Sequence, residues 1–109
     1  MAQVALTPTR VTSASVVATT LTAATTGSYS SGGNSFVNTA TTFLIVKNAD
    51  AGSHTMTVSW VVDGVTVTRT QAIAAGATRI FYFNPAIYGA TVNIQFEDVT
   101  SVTVGVFYV

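Results

Sequence analysis

Residues 54–73 read HTMTVSWVVDGVTVTRTQAI, and this stretch decides the fold. In its first half Met56, Val58 and Trp60 alternate with Thr55, Thr57 and Ser59. Successive side chains of a strand point to opposite faces, so the pattern makes one apolar face and one hydroxyl face. In its second half Val65 and Val67 are expected inward, with Thr66, Thr68 and Thr70 outward. Between the halves stands Asp63-Gly64, a pair suited to the two-residue turn that needs positive φ at both central positions. The whole stretch reads as a hairpin of two antiparallel strands with Trp60 in the core.

The same alternation continues on both sides. TTFLIVKN (41–48) is a short apolar run bounded by turn residues, and Asn48, Asp50 and Gly52 give the following NADAGS its turn chemistry. Downstream, AAGA turns at Gly76, TRIFYF (78–83) is a strand, and NPAIYGA (84–90) is a longer loop around Pro85. In TVNIQFE (91–97), Val92, Ile94 and Phe96 face Thr91, Asn93 and Gln95 across the pleat; VTVGVFYV (102–109) forms the last strand. Upstream, β-branched residues in SVVATTLTAATT (15–26) favour one or two strands over a helix, and GSYSSGGNS (27–35), with Tyr29 inside it, is a loop. Seven or eight short strands with turns every 8–12 residues predict an all-β fold: a single antiparallel β-sandwich, Ig-like or jelly-roll-like. The expected organisation is an extended N-terminal arm over residues 1–12 and a sandwich domain over residues 13–109.

Composition narrows the function. The chain has 109 residues, enough for one domain, and no Cys. Its formal net charge is zero, so it offers no basic field for nucleic acid. Only 7% of its residues are charged, against roughly 25% in typical globular domains. High apolar content argues for folding rather than disorder. A surface of Thr, Ser and Asn gives little colloidal protection, which favours life in an assembly or export into a demanding environment. No apolar run approaches the ~20 residues of a membrane helix. No segment reads as a signal peptide, which points to synthesis in the cytoplasm.

The reactive residues form no constellation. Glu97 and Asp98 are adjacent, and neighbours on a strand diverge, so a solvated strand end is the plainer reading. His54 is the only histidine and is expected at the surface. With Asp50 it makes no transition-metal set, and NADAG has too few carboxylates for a calcium loop. Asp63 is a second acid for Ser-His-Asp chemistry, yet no Ser sits in a nucleophile elbow. No catalytic, cofactor-binding or metal residue is therefore assigned. Trp60, Tyr82 and Tyr88 suggest a sugar platform; Tyr88 is the one expected to be exposed. The arm carries Gln3, Val4, Leu6, Pro8 and Arg10 without a turn cluster. Two readings stand side by side for it: a disordered end, or a strand donated to a neighbour as an assembly contact.

Three pieces carry a resemblance: NTATTFLIVKNADAGSHTMTVSW (38–60), IAAGATRIFYFNPAIYG (73–89) and VNIQFEDVTSVTVGVFYV (92–109). The turn after Phe43–Asn48, the Ala75–Arg79 turn, the Pro85–Gly89 loop and the Val99–Val106 ending resemble small structural proteins of tailed bacteriophages. The resemblance covers residues 38–109 and is most similar to head decoration (cement) proteins. It implies a non-enzymatic virion protein, made in the host bacterial cytoplasm, that binds the outer capsid surface. Its implied partners are the major capsid protein and further copies of itself, a trimer above all, with no nucleic acid, membrane or cofactor. Other readings are a tail, neck or fibre module, or a carbohydrate- or cell-surface-binding module.

Overall fold

A computed structural model describes residues 4–11, 22–23 and 33–109 of the chain. Seven strands of four residues or more build two sheets. They are β4 (Asn34–Val37), β5 (Thr42–Asn48), β6 (His54–Val62), β7 (Val65–Ile73), β8 (Thr78–Tyr82), β9 (Thr91–Phe96) and β10 (Val102–Tyr108). Three two-residue strands join them: β1 (Val4–Ala5), β2 (Thr9–Arg10) and β3 (Thr22–Ala23). One sheet has the order β1-β4-β9-β6-β7, and the other β2-β10-β5-β8 with β3 also on β10. The expected all-β sandwich is what the chain forms. Every pairing among β3 to β10 is antiparallel, whereas β1 on β4 and β2 on β10 are parallel. The sheets are therefore mixed.

The deciding hairpin holds its expected register, from His54 opposite Ile73 to Val62 opposite Val65. Asp63 at φ 51° and Gly64 at φ 78° supply the two left-handed residues of its turn. Met56, Val58 and Trp60 enter the core, where Leu44 and Val46 of β5, Ile94 of β9 and Val104 and Val106 of β10 meet them. Val65 departs from expectation: it is 63% exposed, because β6 pairs with β9 only over Met56–Ser59 and the hairpin runs on beyond the sheet. Asn93 and Gln95, on the face opposite Val92, Ile94 and Phe96, are buried with Ser59. Ser35 and Ser59 flank Asn93 in register, and Gln95 Nε2 donates to Ser59 Oγ at 3.1 Å. A middle strand carries neighbours on both sides, and here its polar face is enclosed as well.

The arm docks on its own chain. Val4 N–H donates to Gly33 O at 3.0 Å and Leu6 N–H to Ser35 O at 2.7 Å, so β1 follows the β4 edge. The chain passes Pro8 between the sheets and reaches β10, where Val11 N–H donates to Tyr108 O at 2.7 Å. Proline has no N–H to lose at such a crossing. Leu6 lies in the core cluster. The strands expected within residues 15–26 fall outside the described residues except at Thr22–Ala23, and Tyr29 lies outside them. The last strand is not an edge: β5 flanks β10 on one side, while β2 and β3 cover the other at Phe107–Tyr108 and Thr103–Val104.

Candidate functional site

Among the described residues β7 closes one sheet and β8 the other, so the sandwich ends on one side in two edge strands. Between them the interior opens as a cleft of about 370 Å³. Met56 and Val58 form its floor, Arg69 and Gln71 of β7 one wall, and Phe81 and Phe83 the other. Arg69 and Gln71 share the strand phase of Val67 and Ile73, which pack on the core. Past the core, the same phase brings a guanidinium and an amide to the mouth of the sandwich.

Tyr88 closes one end of the cleft and is held from several sides. NPAIYGA, expected as a loop, contains a single helical turn, α1 (Pro85–Tyr88). Asn84 caps it by accepting from Ala86 N–H at 3.0 Å, and Pro85 takes the first turn, where its missing N–H costs nothing. Buried Asn38 donates through Nδ2 to Phe83 O at 2.8 Å and Gly89 O at 3.1 Å, tying α1 to the sandwich. The Tyr88 ring meets Trp60 at 4.5 Å and Phe83 at 5.0 Å between centroids. Arg69 Nη1 donates to the Tyr88 hydroxyl at 3.1 Å. Tyr88 is thus half-buried; Tyr82 is the exposed ring at the rim, and Trp60 lies in the core.

At the far end of the strands the acids serve turns. Asp50 Oδ2 lies 2.9 Å from His54 Nε2, and Asp50 Oδ1 accepts from Ala51 N–H at 2.8 Å. Both hydrogen bonds, that from His54 first, hold the Asp50 carboxyl below its ordinary value of 3.8. Asp98 accepts from the hydroxyl and the N–H of Thr100, which lower its carboxyl in the same way. Glu97 Oε1 accepts from Thr55 N–H at 3.1 Å. His54 corrects the surface expectation: it is 4% exposed, because its even-numbered position shares the inward face of Met56, Val58 and Trp60. Asn48, expected as a turn residue, is also fully buried and reaches across to a second turn. Its Nδ2 faces Gly52 O at 2.9 Å and Ile73 O at 3.1 Å, and its Oδ1 accepts from Asp50 N–H at 3.0 Å. No group of three metal-ligating side chains gathers among the described residues.

The proposed arm contacts divide. Val4 is 45% exposed and Arg10 is exposed, Pro8 is partly covered, Leu6 is 9% exposed within the chain's own core, and Gln3 lies outside the described residues. A second apolar surface, unmarked in the sequence reading, is the outrunning tip of the β6–β7 hairpin. There Val61, Val62 and Val65 are 48%, 45% and 63% exposed. No helix among the described residues is long and apolar enough to cross a membrane. No family model, curated protein or solved structure matches the chain.

Proposed function

We propose that the chain is a non-enzymatic structural module of a tailed-phage virion that seats on the outer surface of the head and bridges neighbouring capsid subunits. The observation that carries this reading is the apolar hairpin tip. Val61, Val62 and Val65 stand clear of the sheet on a two-stranded finger whose only charge is Asp63. Exposed apolar side chains gathered at one projection mark an interaction surface. The scarcity of charge agrees with a surface that lives against other protein, and the resemblance over residues 38–109 supplies the phage setting. Homo-oligomerisation, with a trimer favoured, belongs to the same reading.

The test is to add the purified protein to heads of the encoding phage that lack it, and to read its occupancy by cryo-electron microscopy. Val62→Ser with Val65→Ser is expected to fold as the parent does and to lose occupancy. An intact protein absent from the shell, or a double variant that binds as well as the parent, overturns the proposal.

A further inference from the structure

We infer that the cleft between β7 and β8 binds a carboxylate-bearing sugar residue, such as a uronic or sialic acid unit of a glycan. Shape comes first. At about 370 Å³ the cleft lies at the small end of ligand pockets, which run roughly 300–1,000 Å³. That suits one ring with its substituents. Its walls offer what a pyranose needs. Phe81 and the ring of Tyr88 give flat apolar surface for C–H faces, and Gln71 and the Tyr88 hydroxyl give neutral donors and acceptors for ring hydroxyls.

Charge selects the acid. All eight charged side chains of the sequence lie within the described residues. Asp50, Glu97 and Asp98 occupy turns at the far end of the strands, and Asp63 the hairpin tip, so no acid lines the cleft. Arg69 lines it, and Arg79 stands beside it with its guanidinium 5.9 Å from the Phe81 ring centre. The sole side-chain partner of Arg69 among the described residues is the Tyr88 hydroxyl. A guanidinium carries five donors in a planar fork, so most of that fork is left for a bidentate carboxylate. Tyr88, held by Trp60 and Phe83, keeps the fork in place before the ligand arrives. This site is independent of the hairpin tip and of any role in a virion.

Saturation-transfer NMR and Trp60 fluorescence test it, using methyl β-D-glucuronide and 3′-sialyllactose against methyl β-D-glucoside and lactose. Trp60 reports because its ring touches Tyr88. The acidic sugars are expected to bind about tenfold or more tightly than the neutral ones, as a charge-assisted pair confers. Arg69→Gln, a substitution at an exposed position, is expected to keep the parent melting temperature and abolish that preference. No transfer to either acidic sugar overturns the inference, as does equal binding of acidic and neutral sugars or an unchanged Arg69→Gln preference. Stronger binding of a short peptide through its terminal carboxylate also overturns it and makes the cleft a peptide site. Capsid occupancy of Arg69→Gln, measured separately, keeps this result distinct from the hairpin-tip proposal.

Discussion

Asn48 shows how much one buried amide does in a chain with few ion pairs. It links the β5–β6 turn to the β7–β8 turn through the carbonyls of Gly52 and Ile73 and through Asp50 N–H. Asn48→Ala strands these groups, and a buried unsatisfied group costs about 1–3 kcal/mol. Urea unfolding is expected to show a loss of at least that size; a loss within error would show that water replaces the amide. Asp50 and Asp98 contribute to stability on the acid side. Each carboxyl is lowered in the folded chain relative to its ordinary 3.8. Their contribution is therefore present above that value and is lost as pH falls through the lowered one. The urea midpoint should drop on acidification below about pH 4, and Asp50→Asn with Asp98→Asn should flatten that drop. The turn roles of Asn48 and Asp50 were legible in NADAGS, since Asx residues beside Gly favour turns. The burial of His54 was legible too, because the alternation that places Met56 inward places His54 there. The Gly52-Ser53 turn just before it favours exposure, but the phase of the strand outweighs the turn.

Among elements, six of the seven longer strands were readable as alternating or apolar runs bounded by turn residues; β4 was not, because Asn34 and Ser35 fall in GSYSSGGNS, expected as a loop, and take their strand form from pairing with β9. The arm's strands were not: two residues have no period, and their partners lie far along the chain. Four-residue α1 has no helical period either, although Asn84-Pro85 and Gly89 mark its start and stop. The cleft was unreadable for a different reason, since its walls come from the edges of two sheets and only tertiary packing brings Arg69 to Tyr88. Two glycines separate turn conformation from packing. Gly64 has φ 78° with open space around an added Cβ, so Gly64→Ala pays only the left-handed backbone, about 1–2 kcal/mol. Gly33 has φ 79°, and an added Cβ would lie 2.5 Å from Ile94 O. Backbone cannot swing aside as a side chain does, so Gly33→Ala should be clearly the more damaging in thermal unfolding. Equal losses would mean that β4 shifts freely against β9.

At the scale of the molecule the sandwich has one covered side and one open side. β1 covers the β4 edge, and β2 with β3 covers β10, whereas β7 and β8 carry no further strand among the described residues. An unpaired edge is a template for another chain, and proteins that must avoid pairing place lysines there. β7 and β8 hold no lysine; Ile80 on β8 is 67% exposed and Tyr82 55%. Self-association is therefore expected through the open side. Sedimentation velocity should show a concentration-dependent rise above the monomer, and Thr68→Lys with Ile80→Lys should return the chain to monomer. Added salt should change the association little, because Arg69 and Arg79 on these strands face no acid across an edge-to-edge contact. Association that survives both lysines would move the contact to the hairpin tip, where Val62→Ser with Val65→Ser is the matching variant. Deletion of residues 2–10 cannot serve as a contact test: it removes Leu6 from the core and uncovers the β4 edge, so it should lower stability and promote association at once. Val4→Ser isolates the contact, since Val4 is 45% exposed and its backbone pairing survives the change. An arm that serves only its own sandwich leaves sedimentation and capsid occupancy of Val4→Ser at parent values; an arm that also touches a neighbour lowers them.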